Sequence, residues 1–178
     1  MPKTRTELER DRKVVEILEV AERHLKEGGY NALSVAAVAR ELGLAHNAIY
    51  WYFGSKDELI VATFEHMVQK LLARKPKSGK TMVEMVLWFV DNLAELYPLR
   101  ASMHEQAARS ETIARYLDEL NERLRGLARH VLEPLVPPGE VDIATNTLVA
   151  TVQGAYLLAK PKERRDLVRY VLEKFTAR

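Results

Sequence analysis

Asn47, Tyr50 and Trp51, with His46 just ahead of them, are the side chains whose types and spacing suggest chemistry toward a partner. At roughly 100° per helical residue, Ala45, Ile49 and Phe53 fall on one side and can pack inward. Asn47 and Trp51 then turn outward, with Ala48 and Tyr50 on the flanks. A surface helix normally carries Lys and Glu. Amide, phenol, indole and imidazole groups in their place suit a helix that meets something flat and polar. The bland alternative is that they only stabilise a small helical unit.

The next stretch, Gly54-Ser55-Lys56-Asp57-Glu58-Leu59, places Ser55 and Glu58 at the spacing of a capping box, so a new helix begins at Lys56. Its start brings together free N–H groups, the positive end of the helix dipole and a Lys side chain. That is an anion site, and a DNA phosphate is the obvious candidate. Other chemistries find little support. His24, His46, His66, His104 and His130 occur singly, and no HExxH spacing exists. The chain has no cysteine, which excludes disulfides, thiolate chemistry and cysteine metal sites. Its glycines punctuate helices rather than forming a phosphate loop. No catalytic residue, metal site or cofactor is expected.

The elements that must position these side chains are helical. Ser34 can cap a helix carrying Val35, Val38, Ala39 and Leu42, Gly43 stops it, and the chain re-enters a helix near Ala45. This is the helix-turn-helix pattern, with its two helices at about 35–42 and 46–52. Ahead of it, Thr6 and Glu9 predict a helix from about Glu7 to Lys26 with Val14, Leu18, Ala21 and Leu25 inward, ended by Gly28-Gly29. Behind it, a helix from Lys56 to about Arg74 runs to a break over Lys75–Lys80.

The remainder also reads as helices. Thr81 and Glu84 open one that runs to about Leu96, with Met82, Met85, Val86, Phe89, Leu93 and Leu96 on its inner face. Pro98 ends it, and a short helix covers about Arg100–Ala108. Ser110 caps the next, whose Ile113, Leu117, Leu120, Leu124, Leu127 and Val131 form a bundle seam. After the Pro134 to Gly139 break, the helix from about Glu140 to Ala159 is apolar on nearly every side, and Pro161 starts the last. With no strand-like alternation and no repeats, the expected fold is all-α, about nine helices, with a three-helix head followed by a C-terminal bundle.

Bulk charge is neutral on the question of DNA. The 178 residues carry a net charge of only +2, and residues 1–60 hold nine Lys/Arg against ten Asp/Glu. Attraction must come from local placement of Lys3, Arg5, Arg10, Arg12, Lys13, Arg40 and Lys56. An apolar fraction of 47% fits a globular fold with a real core. No run of about 18 apolar residues and no secretory signal is present, so a cytoplasmic protein without membrane association is expected.

Gly28-Gly29-Tyr30, Ser34-Val35, Val38-Ala39, Gly43-Leu44, Ile49-Tyr50-Trp51-Tyr52-Phe53, Lys56 and Leu59 together resemble the DNA-binding head of TetR-type repressors, over roughly Arg12 to Leu59. The chain departs from that family at Ala45 and Ala48, where Ser or Thr is frequent, and at Ala36, where a base-reading Arg sometimes stands. The resemblance implies a DNA-binding domain over 1–55, with Ser34, His46, Asn47, Ala48, Tyr50, Trp51, Tyr52 and Lys56 toward palindromic operator DNA. It also implies a ligand-binding and dimerisation domain over 56–178.

Met and aromatic residues cluster through that second domain, and from residues alone they read as core or as a pocket. The resemblance implies a cavity for a small apolar or amphipathic effector, near Phe64, Met67, Met85, Trp88, Phe89, Asn92, Met103, His104, Tyr116 and Tyr156. A helix apolar on both faces needs a partner. A homodimer is expected through the last two helices, with Leu148, Val152, Gly154, Ala155, Leu158, Val168 and Phe175 at the interface. The rival reading is a helical binding or scaffolding protein whose head no longer reads DNA; an enzyme lacks any supporting constellation of residues.

Overall fold

The computed structural model describes residues 5–76 and 81–176. The described residues form helices and no strand: α1 (Arg5–Ala32), α2 (Val35–Glu41), a 3₁₀ segment (His46–Trp51), α3 (Lys56–Ala73), α4 (Met82–Leu93), α5 (Tyr97–Ala107), α6 (Glu111–Leu132), a short 3₁₀ turn (Pro138–Glu140), α7 (Val141–Leu158) and α8 (Pro161–Thr176). They divide into two compact units, one of Met1–Ala73 with Pro98–Tyr116, the other of Arg74–Tyr97 with Leu117–Arg178.

In the first unit, α1 packs on α2 and α3, and α2 packs on the 3₁₀ segment. Ile17, Leu18, Val20, Ala21 and Leu25 of α1 are buried, as are Val35, Val38 and Ala39 of α2 and Leu59, Ile60, Phe64, Met67 and Leu71 of α3. Complete burial of one of the larger of these side chains is worth about 1.5–3 kcal/mol. Helix α1 begins at Arg5, which places Thr6 within its first turn rather than ahead of it. At the other end its helical geometry breaks at Gly29, whose φ of 70° and ψ of −166° belong to a region open essentially to glycine alone. A Cβ on neighbouring Gly28 would collide with that of Ala32. Both glycines of the pair are therefore required by the turn that sends the chain into α2.

The turn after α2 follows from local chemistry. Ser34 Oγ accepts from the Ala37 N–H at 3.3 Å. At the C-terminus Gly43 takes a φ of 66°, while the Gly43 and Leu44 N–H groups donate to the Arg40 and Ala39 carbonyls at 3.1 and 2.8 Å. This pair of bonds closes a Schellman motif.

The second unit is built on hydrocarbon. Leu87 and Val90 of α4, Leu132 of α6, Ala144 and Leu148 of α7, and Val168 and Leu172 of α8 form one buried cluster, with Val152 and Phe175 packed against it. The Thr81–Glu84 capping box opens α4 in both directions, at 3.2 and 2.7 Å. The face of α4 differs from expectation. Leu87 and Val90 are its buried residues, Met82 is exposed, and Met85 and Phe89 are half-buried, because a helix this apolar offers more than one inward stripe. In α6 the Ser110 cap is present, and Ile113, Leu117 and Leu120 are buried, but Leu127 is 55% exposed and Leu132 takes the inward place. Of the expected break over Lys75–Lys80, residues 77–80 lie outside the described residues.

Candidate nucleic-acid interface

Ala45 precedes the 3₁₀ segment without a side-chain cap, and His, Asn, Ile, Tyr and Trp are middling helix formers. A run this short without a cap tightens to i→i+3 bonding, as the Ala48 N–H to Ala45 carbonyl bond at 2.9 Å shows. The tightening corrects the angular placement expected for an α-helix. With about three residues per turn, Asn47 and Tyr50 share one face and Ala48 and Trp51 another. Ile49 and Phe53 anchor the segment, at 1% and 8% exposure, whereas Ala45 is exposed rather than inward.

Outward of that anchor lie the polar and aromatic groups. Trp51 is 78% exposed and Tyr50 42%; His46 and Asn47 are exposed, and the His46 and Tyr50 rings meet edge to face at 6.2 Å. Ala48 and Tyr52 are half-buried, and Ser34 is exposed with its hydroxyl engaged in the α2 cap. Thus the exposed side of the segment is a ridge that presents an amide and a phenol on one face, with an indole and an imidazole flanking them.

The start of α3 adjoins this ridge in sequence. The Glu58 N–H donates to Ser55 Oγ at 3.0 Å, and the Glu58 carboxylate reaches back to the Gly54 N–H at 2.8 Å. Lys56 Nζ lies over the Tyr30 ring, 5.4 Å from its centroid, and the Tyr30 hydroxyl donates to Asp57 Oδ1 at 2.9 Å. Burial first, then the Asp57 carboxylate, pushes the Tyr30 phenol up to about 12, so it stays a neutral donor. Of the remaining basic candidates, Arg10, Arg12 and Arg40 are exposed and Lys13 pairs with Glu16; Lys3 and the Arg5 side chain lie outside the described residues.

Charged clamps that sequence reading missed hold the helices behind the ridge. Glu41 of α2 accepts from Arg23 and pairs with His24 Nε2 at 3.0 Å, both on α1. The His24 hydrogen bond, then Arg23, lowers the Glu41 carboxyl below its usual range. Glu22 of α1, only 7% exposed, accepts from Lys70 of α3 at 2.9 Å and from Lys26 at 2.8 Å, with His66 Nε2 4.0 Å away. Burial works against the charged form of Glu22, but the two lysines outweigh it and the carboxyl is lowered. A separation of 48 residues between Glu22 and Lys70 leaves no local signal for such a pair.

Comparison with known proteins falls on the same segment. Residues 17–63 match the model of bacterial regulatory proteins of the tetR family. An HTH-type transcriptional regulator BetI from Rhizobium meliloti is 26% identical over 79% of this chain and 74% of its own length. Over residues 17–63 the chain is similar to the TetR-type transcriptional regulators. Solved structures agree in fold: a transcriptional regulator from Rhodococcus sp. Rha1 has a TM-score of 0.74 at 21% identity, covering 92% of this chain and 96% of that one. A regulator from Saccharomonospora viridis, solved in complex with choline, has a TM-score of 0.71 at 14% identity over 92% of this chain and 96% of that one. Its relatives are named as transcriptional regulators, and with a TetR-type head this chain is a DNA-binding regulator.

The expected effector residues of the TetR-type chain divide between its units. Phe64, Met67, Met103, His104 and Tyr116 belong to the first, and Met85, Trp88, Phe89, Asn92 and Tyr156 to the second. In the first, Met103 is fully buried, His104 is exposed, and Tyr116 donates to Glu65 at 2.8 Å while meeting Phe64 edge to face. In the second, Asn92 donates to the Trp88 carbonyl at 2.8 Å and Tyr156 to the Val90 carbonyl. Tyr156 also stacks on Tyr97 at 4.6 Å and lies beneath the Arg164 guanidinium at 4.2 Å. Burial above all pushes its phenol up to about 12. Tyr116, Asn92 and Tyr156 each therefore already have a hydrogen-bond partner within their own unit.

Burial divides the residues expected at the pairing face. Leu148, Ala155 and Val168 are 3%, 3% and 0% exposed, inside the chain's own second unit, and Val152 and Phe175 pack against that core. Leu158, 89% exposed, and Gly154, with nothing within 4 Å of where a Cβ would stand, remain available. Ile143, Leu157, Leu167 and Tyr170 are exposed on α7 and α8, beyond the residues expected at the pairing face. Among the described residues no helix is long and apolar enough to cross a membrane, and no group of three or more His, Asp or Glu side chains is placed to hold a metal.

Proposed function

We propose that this chain is a repressor that binds palindromic operator DNA as a homodimer and is released by a small apolar or amphipathic ligand. The ridge of exposed Asn47, Tyr50 and Trp51 over buried Ile49 and Phe53 carries the reading. Lodged in a major groove, Asn47 can bond an adenine edge in two places, with Tyr50 beside it on the same face, while Lys56 at the start of α3 meets a phosphate. DNA reading is assigned to 1–55 and ligand binding with dimerisation to 56–178. Exposed Ile143, Leu157, Leu158, Leu167 and Tyr170 support pairing through α7 and α8. A ligand acts only through a difference in affinity between the DNA-binding and released conformations.

Choline is the first effector to test, because a structural neighbour was solved with it and because Trp88 and Phe89 supply aromatic faces that suit a quaternary ammonium. A gel-shift on random duplexes across a salt series tests the whole reading. A repressor retains DNA in a salt-dependent way, selects a palindrome, and releases it with effector. A helical scaffold that has lost DNA reading retains none of it.

A further inference from the structure

We propose that Tyr30 is a positioning residue for DNA binding: its ring holds the Lys56 ammonium ready for a phosphate, and its hydroxyl holds Asp57 in place beside it. The inference rests on the reading of Lys56 as a phosphate-binding group and adds a residue that is not on the DNA-facing ridge.

The geometry begins with the Gly28-Gly29 turn, whose backbone at Gly29 no side-chain-bearing residue adopts without strain. That turn delivers Tyr30 to the first turn of α3, where Asp57 lies 27 residues further along the chain. There the half-buried phenol makes two contacts at once. Its face lies 5.4 Å from Lys56 Nζ, within the roughly 6 Å reach of a cation–π contact. Its hydroxyl donates to Asp57 Oδ1 at 2.9 Å.

Each contact removes an obstacle to phosphate binding. A lysine on an open surface samples many rotamers, and a phosphate must order its stem on arrival. The Tyr30 face orders it in advance. Asp57 puts a negative charge in the same first turn, where it favours the helix dipole but opposes an incoming anion. Bonded to Tyr30, it is fixed away from free rotation and part of its charge is engaged.

The test is a thermodynamic cycle on the full chain, with a pool of random-sequence duplexes at low salt as the probe, because a phosphate contact is blind to sequence. Tyr30→Leu weakens binding about two- to tenfold while Lys56 is present, the scale of ordering one long side chain. In the Lys56→Ala background the same substitution has no effect, and Tyr30→Phe, which keeps the ring, restores most of the binding. Equal loss in both backgrounds, or a Phe variant as weak as Leu, overturns the proposal. If Lys56→Ala alone changes neither affinity nor salt slope, the phosphate reading itself falls and takes the inference with it. NMR on the unmutated chain guards against a Leu variant that does not fold. The ε-methylene protons of Lys56 should be shifted upfield by the Tyr30 ring current, and unshifted protons overturn the proposal.

Discussion

The outward ridge of the first unit and the outward face of α7 and α8 are both exposed and both rich in large side chains, yet their chemistry differs. Asn47, Tyr50, His46 and Trp51 each carry a polar handle, and in Tyr50, His46 and Trp51 it sits on a flat ring. Ile143, Leu157, Leu158 and Leu167 have no handle at all. A surface with handles gains from a patterned polar partner, and a surface without them gains only from exclusion of water. Behind these faces the two units are held alike: Glu22–Lys70 ties α1 to α3 and Arg165–Asp91 ties α8 to α4, the latter beside a buried cluster that is wholly aliphatic.

The largest effect separates the inner and outer faces of α7 and α8. If the proposed dimer pairs through this face, Leu158→Glu should leave the fold intact, because the side chain is 89% exposed, and should convert dimer to monomer with loss of tight operator binding. Val168→Glu, at 0% exposure, places an unpaired charge in the core and unfolds the second unit. Sedimentation and circular dichroism distinguish the two. A folded Leu158→Glu protein that remains dimeric removes this face from the pairing.

Next in size is the clamp of the first unit. Glu22→Gln should cost about 1.5–3 kcal/mol at neutral pH, the range for hydrogen bonds to charged groups. The Glu22 carboxyl is lowered on folding, so its stabilisation is fully present above the ordinary carboxylate range. It is lost as pH falls through the lowered value. Urea unfolding should therefore show a wild-type advantage at pH 7 that vanishes in acid, while Leu172→Ala in the second unit costs a similar amount or more at either pH. An advantage independent of pH would mean that Glu22 acts through packing.

The smallest effect comes from two glycines. Gly29→Ala should destabilise by about 1–3 kcal/mol, since its backbone lies where side chains are strained. Gly154→Ala, in open space on α7, should stabilise the monomer by about 0.5–1 kcal/mol. If it lies on the pairing face, the same change weakens the dimer. Thermal melts at several concentrations read both quantities.

Much of this was legible where the signal is local. Ser34, Ser55, Thr81 and Ser110 each cap a helix at the expected place, because a cap needs only residues three apart. The turn at Gly43 follows from the same short range. The tightening of His46–Trp51 to 3₁₀ was not legible, since six residues are too few for a period to declare itself. Nor was the split of α7. Leu148 and Ala155 face inward and Leu157 and Leu158 outward on a helix whose sequence leaves no broad polar face, so only packing decides. Tyr30–Asp57 and Glu22–Lys70 join residues far apart in sequence and left no trace in any window.

The central claim is that Asn47 reads a base and Lys56 only holds a phosphate. Binding-site selection on wild type, Asn47→Ala and Lys56→Ala tests it most directly. Lys56→Ala should return the wild-type palindrome with uniformly weaker binding and a salt slope smaller by about 1. Asn47→Ala should relax one position in each half-site, costing about 1–3 kcal/mol there. An unchanged consensus for Asn47→Ala together with an altered one for Lys56→Ala would contradict the account.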